Sequence, residues 1–304
     1  TKITYKAYND EKVTFRGSHI INQKLFMPVE DKSIRNRLQQ EVRDKIGCMD
    51  LKAAGMDELE KYIPPKEYMQ TVVSYPKLYL DDNEQQLSRW PNVGYNTIEK
   101  VLDNGAIKRN GDLSGRPAII GYKSPNIDRW TTAKDAIIEG IFCNEYAFER
   151  LYIKEVNPSE RTITTDGSTV YGVAEGKRWA AVNLMEEIDI PGEYYIDIDN
   201  MKLYYYPPYG IKDGKLEITT LTKPMITGEN VHGLVFENLS FEKTRSRVGE
   251  FNNCYDITFN GCSIKNIGHQ ALNMQKVSKI NINGCRFDSV GGTCIYIEGG
   301  DRTT

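Results

Sequence analysis

Three segments in the last third of the chain align without a gap, and they constrain the fold more than any other feature. Residues 231–241 (VHGLVFENLSF), 254–264 (CYDITFNGCSI) and 277–287 (VSKININGCRF) place Leu234, Ile257 and Ile280 at a constant step of 23 residues. A second row keeps the same step through Val248, Ala271 and Cys294, and then through Phe251, Met274 and Ile297. Self-similarity at this length marks a solenoid, whose repeats bury their apolar faces only against their neighbours.

Two solenoids share this period. The V-x-x-L-x-F-x-x-L-x-F pattern also fits a leucine-rich repeat, which needs a helix or compact return on the far side of each repeat. Here the far side reads Gly291-Gly-Thr-Cys-Ile-Tyr-Ile-Glu-Gly-Gly300, a β-rich run bracketed by glycines. Period-2 segments broken by Asn-Gly, Ile-Gly and Gly-Gly corners describe short parallel strands instead. The reading is a mainly β chain: a right-handed parallel β-helix of 23-residue coils. Phe259, Ile282, Cys262 and Cys285 are then expected to point inward and to be buried. Residues 13–20 (VTFRGSHI) repeat the strand-corner-strand phrase of 257–264, so 1–21 are assigned to the first coil or coils and 216–304 to the continuing ones.

The stretch 22–215 differs in texture and reads as a large inserted α+β (β-rich) domain. Apolar residues four apart over 31–46 predict an amphipathic helix that Ser33 can cap, and 56–63 predicts a second, short one. Residues 78–90 read as one hairpin, and 193–206 as a clearer one turning at Asp199-Asn200.

Composition excludes more than it selects. A net charge of −3 gives no general attraction to nucleic acid, and no run of 18 apolar residues is present to cross a membrane. No leader precedes the first strand, so a secretion signal is expected to have been removed or to lie upstream. The six cysteines lack metal-type spacing and the three histidines form no zinc pattern. Small buried thiols are the expected role of the stacked cysteines, with a disulfide or reactive thiol as the alternative.

Four further phrases occur in order: residues 86–92 (QLSRWPN), 179–189 (WAAVNLMEEID), 191–195 (PGEYY) and 203–208 (LYYYPP), followed by Gly299-Gly-Asp-Arg302. On a β-helix coil, this ordered set resembles the large right-handed β-helix carbohydrate-active enzymes, glycoside hydrolase family 141 with its fucosidases and xylanases in particular. The resemblance spans nearly the whole chain. It implies a secreted, periplasmic or cell-surface polysaccharide-processing hydrolase acting on a carbohydrate polymer. It also implies catalytic carboxylates on coils after the Gly-Gly-Asp-Arg phrase, so the chain to Thr304 is expected to be a fragment without them, whose last coil can pair end to end with another copy. A polysaccharide lyase and a non-catalytic carbohydrate-binding surface protein remain the alternatives.

The residues themselves offer a polar face. Glu250, Asn273 and Tyr296 fall at equivalent outward positions, as do Asn252, Gln275 and Glu298. With His269 at a coil corner, Glu250, Asn273, Gln275 and Tyr296 are the candidate sugar-binding residues, against ordinary solvated positions. Glycoside hydrolysis needs two carboxyl groups roughly 5–5.5 Å or 6.5–9.5 Å apart. Coils are about 4.8 Å apart, which puts Glu250 and Glu298 roughly 10 Å from each other; Glu298 with Asp301 is the closer catalytic candidate. Arg245 and Arg247 are placed on a solvated basic loop, or on a uronate carboxylate if the protein is a lyase. Trp90, Trp130 and Trp179 are assigned to core rather than to sugar stacking. No cofactor is expected; Glu186-Glu187 with Asp189 is a weak pattern for calcium.

Overall fold

The computed structural model describes residues 2–65, 70, 72–209 and 214–299. The 23-residue step appears as three parallel ladders. The first stacks Ile3–Lys6, His232–Glu237, Tyr255–Asn260 and Ser278–Asn283; the second stacks Val13–Arg16, Leu239–Thr244, Ser263–Ile267 and Arg286–Val290. The third stacks Ile226–Glu229, Gly249–Asn252, Leu272–Gln275 and Ile295–Glu298. Leu234, Ile257 and Ile280 follow one another in register, as do Phe241, Ile264 and Phe287, and Phe251, Met274 and Ile297. Among the described residues no helix lies between 216 and 299, which removes the leucine-rich-repeat alternative. The fold is a right-handed parallel β-helix, the hand that parallel crossovers of twisted strands take.

The corners obey the same step. Left-handed backbone recurs at Asn230, Asn253, Lys276 and Gly299, at Asn238, Gly261 and Gly284, and at Lys243, Asn266 and Ser289. Asn is frequent there because its short polar side chain tolerates a conformation that most residues avoid. At Gly261 space adds to the requirement, since a Cβ would lie 2.3 Å from Asn238 Oδ1.

Inside the coil, Phe251, Phe259, Ile257 and Ile264 are fully buried, and Tyr5, Phe236 and Phe259 stack with centroids 5.5 and 4.8 Å apart. Cys262 is buried, whereas Ile282 and Cys285 are only half-buried. They do point inward and pack on the core, but a described coil covers them from one side only. All six cysteines are free thiols.

Residues 13–20 take a different place from the one their phrase predicts. Val13 pairs with Leu239 and Phe15 with Phe241, in the second ladder, because Ile3 and Tyr5 already occupy the first-ladder places beside Leu234 and Phe236. After Gly17 the chain leaves the coil. Ser18–Ile21 runs antiparallel to Leu216–Thr219, so the two ends of the intervening stretch lie side by side.

That stretch is β-rich, with an eight-stranded and a five-stranded sheet and, among the described residues, one α-helix, Lys32–Arg37. Asp31, not Ser33, caps this helix, accepting from Ser33 N at 2.7 Å. It ends well short of residue 46 because Leu38 turns extended and buries with Ile46 and Tyr195. Residues 56–63 form no helix: Leu59 and Tyr62 enter two different cores instead of sharing one helical face. The hairpin predicted over 78–90 is shorter than that. Leu78–Leu80 pairs with Asn83–Glu84, after which Gln86–Leu87 joins Glu193–Asp197 and Arg89–Trp90 joins Arg178–Val182. The hairpin of Glu193–Asp197 with Lys202–Tyr205 forms as expected.

Replacing Phe259 by Ala removes a fully buried ring stacked on Phe236 and is expected to cost roughly 3–5 kcal/mol in chemical denaturation. A loss below about 1 kcal/mol would mean that the ring does not face the core.

Candidate functional site

Between the second and third ladders, each coil turns a corner: Arg245-Ser246-Arg247 in one coil, Gly268-His269-Gln270 in the next, Gly291-Gly292 in the last described. The inserted stretch seats here. Arg245 is fully buried; its Nε donates to Ser74 O at 2.8 Å and its Nη1 to Glu60 O at 2.7 Å, while Ser74 N donates back to Arg245 O at 3.0 Å. It is therefore neither a solvated loop residue nor free to hold a uronate. Burial pulls the guanidinium down to about 10, so it remains charged at neutral pH. Gly268 lets the two parts close, since a Cβ there would fall 2.0 Å from Ser74 Oγ. Two residues before Arg245 in the same coil, buried Lys243 donates to Glu217 at 2.7 Å and to Asp82, with its ammonium over the Tyr79 ring.

Where the corner and the insert meet, they leave a cleft of about 480 Å³. Its coil wall is Gly268, His269, Gly291 and Gly292; its far wall carries Tyr75, Glu84, Gln86, Arg89, Glu139 and Arg150. The acids are neutralised in place. Glu84 accepts from Lys77 Nζ at 2.8 Å and from the Tyr79 hydroxyl at 3.2 Å, and Glu139 accepts from Arg150 Nε at 2.7 Å. His269 Nδ1 accepts from Gln270 N at 2.7 Å and from Arg247 Nε at 3.2 Å, an arrangement that assigns the proton of a neutral ring to Nε2. Arg247 also reaches Glu250 Oε2 at 2.7 Å. Such a surface of paired charges, amides and tyrosine can hold hydroxyl groups by hydrogen bonds.

The sequence candidates divide between two places. Through Arg247, His269 and Glu250 belong to one network, and Glu250, Asn273 and Tyr296 stack in register beside the corner. Asn273 is buried, with its Oδ1 lacking a hydrogen-bond partner, while Tyr296 is exposed and donates to Glu298 at 3.0 Å. Gln275 and Glu298 lie on the next outward row, both exposed. Asp301 lies outside the described residues. Sequence reasoning missed the far wall entirely. Its only signal was residues 86–92, an unusual polar-aromatic phrase whose place beside His269 depends on contacts far apart in sequence.

The tryptophans make a core, with centroids of Trp90, Trp130 and Trp179 between 5.5 and 6.5 Å apart. Beneath them sit buried acids. Glu193 accepts from the backbone of Asp189 at 2.9 Å and Ile190 at 3.2 Å, and burial still pushes it up to about 8. Glu187 accepts from Trp130 Nε1 at 2.8 Å and from Arg129 at 3.1 Å, yet burial pushes it up to about 7, with Asp189 and Glu186 adding repulsion. Among the described residues no group of three His, Cys, Asp or Glu side chains has the geometry to hold a metal ion.

Against known proteins, the family model described as "Right handed beta helix region" matches residues 156–304. No curated protein matches the chain. A solved structure described as "Glycoside hydrolase" superposes with a TM-score of 0.55 at 13% identity, covering 95% of this chain and 65% of that one. The likeness is one of fold. At this identity it carries no residue role across, and the chain spans about two thirds of that structure's length.

A pH series tests the buried acids. Folded Glu187 holds its proton more tightly than its ordinary value of 4.5, so the native state binds more protons than the unfolded chain until about pH 7. Stability is therefore expected to fall as pH rises through this window. Glu187→Gln, which keeps an acceptor for Trp130, should flatten that part of the profile in denaturant titrations. An unchanged slope would show that Glu187 is ionised throughout.

Proposed function

We propose that this chain belongs to a polysaccharide-active β-helix protein of the glycoside hydrolase kind, and that it grips a glycan in the cleft at the coil corner. The observation that carries this reading is the lining of that cleft: hydrogen-bonding groups in nearly balanced charge pairs beside the Tyr75 ring, on a solenoid whose fold is shared with a glycoside hydrolase. Sugars present hydroxyl donors and acceptors with apolar ring faces, and these groups complement both. The order of the motifs favours fucoside- or xylan-type glycans. His269, joined to Glu250 through Arg247, forms the polar end of the subsite, and the exposed Tyr296 and Gln275 would extend it along the coil.

Hydrolysis asks for more than this cleft displays. Glu84 and Glu139 are each tied to a cation, and Glu250 and Glu298 are two coils apart, roughly 10 Å by strand spacing, beyond the separation of a hydrolytic pair. The role proposed for these residues is substrate holding. The lyase reading loses support because Arg245 is buried on carbonyls and Arg247 is committed to Glu250 and His269.

Gly292→Trp tests the site. An ordinary Cβ fits at this position, the nearest atom being 3.4 Å away, and an indole there would fill the cleft. Affinity electrophoresis on xylan and on fucosylated polysaccharide should show retardation of the native chain and at least a tenfold weaker effect for the variant, with circular dichroism unchanged. Equal retardation of both would remove the cleft as the glycan site.

A further inference from the structure

A second hollow, of about 570 Å³, opens on the inserted stretch at the end of helix Lys32–Arg37 and shares no lining residue with the coil-corner cleft. It is walled by Asn36, Arg37, Gln39, Arg129, Thr132 and Glu186, among others, with Leu38 as its one apolar residue. Glu186 is 1% exposed. Its Oε1 accepts from Arg37 Nε at 2.7 Å and its backbone oxygen accepts from Arg129 and from Gln39 Nε2, the latter at 3.4 Å. Its other carboxylate oxygen, Oε2, is buried and has no hydrogen-bond partner; nor has Arg37 Nη2. A buried acceptor and a buried donor, both unsatisfied, thus belong to two side chains already joined at 2.7 Å. Leaving such groups unmade costs about 1–3 kcal/mol each, more when they are charged.

The chemistry of a group that would satisfy both is narrow. An anion would meet Arg37 but be repelled by Glu186, and a cation the reverse. The charges on the wall cancel, Arg37 and Arg129 against Glu41 and Glu186. A neutral hydroxyl meets both needs, because its oxygen accepts from Arg37 Nη2 while its hydrogen is donated to Glu186 Oε2. A neighbouring hydroxyl on the same ring then reaches the Gln39 amide or the Thr132 hydroxyl that line the hollow. The volume suits one or two sugar rings.

We propose that this hollow is a saccharide subsite separate from the coil corner, binding a neutral pyranose through adjacent hydroxyls held by Arg37 and Glu186. It stands on its own residues, whatever the coil-corner cleft binds. The test is a nuclear magnetic resonance titration that follows the Gln39 side-chain amide, the Arg37 Nε–H and the Trp130 indole N–H. Three ligands of one ring shape are compared: methyl β-glucopyranoside, which is neutral, glucuronate, an anion, and glucosamine, a cation. Saturable shifts are expected with the neutral glycoside, at least tenfold weaker in Glu186→Gln. Thr132→Trp, which narrows the hollow from its exposed rim and leaves the buried pair untouched, should abolish them. Gly292→Trp should leave them unchanged. Tighter binding of either charged sugar, or equal affinity in both Glu186→Gln and Thr132→Trp, would overturn the assignment. Shifts confined to residues of the coil-corner cleft would also overturn it, and would leave the reading of that cleft intact.

Discussion

A guanidinium buried without a carboxylate in contact is the constraint on which the rest of this architecture depends. Taking a charge out of water costs several kcal/mol unless its hydrogen bonds are remade. Arg245 remakes two of them with backbone carbonyls, Ser74 O and Glu60 O, and leaves Nη2 buried without a partner. The bargain holds only if both parts stay in place. Ser74 therefore sits against Gly268, and the cleft opens on the far side of that contact, with His269 and Gly292 on one wall and Gln86 on the other. The cleft is a consequence of how an insert is fastened to a solenoid.

The solenoid makes such fastening economical. Each coil contacts only the coils above and below it, so a side that turns corners needs no internal partner and is free to receive another element. The left-handed corner positions recur every 23 residues and keep the inward rows in register, including Phe236 over Phe259 at 4.8 Å. One of these positions is Lys243, whose bulged backbone accompanies a side chain buried away from the coil, on Glu217 and Asp82. Repetition thus supplies the scaffold, and single departures from it at Lys243, Arg245 and Gly268 supply the attachment.

The coil was legible because its contacts are copies of one another: a step of 23 places Leu234 on Ile257 with no further information. The attachment was not legible, for the opposite reason. Arg245 and Ser74 are 171 residues apart and Arg245 and Glu60 are 185 apart, with no pattern to connect them, so Arg245 read as a loop cation. Asn273 read as an outward position, sugar-binding or solvated, since it alternates with inward residues in a period-2 strand, yet it is buried. Local spacing also misled over 31–46, where Ile34, Leu38, Val42 and Ile46 do share one core but reach it without a continuous helix once Leu38 turns extended. The cleft's far wall was not legible either, because neither Gln86 nor Arg89 carries a local sign of what it faces.

All three tryptophans, Trp90, Trp130 and Trp179, lie in the inserted stretch and touch one another, whereas most of the parallel strands belong to the coil. Equilibrium unfolding followed at once by tryptophan fluorescence and by far-ultraviolet circular dichroism therefore measures whether the Arg245 corner makes one cooperative body of the two. The account predicts coincident transitions for the native chain, and for Arg245→Met a lower midpoint with the two signals separated. Separate transitions in the native chain, or coincident and unshifted ones in Arg245→Met, would contradict it.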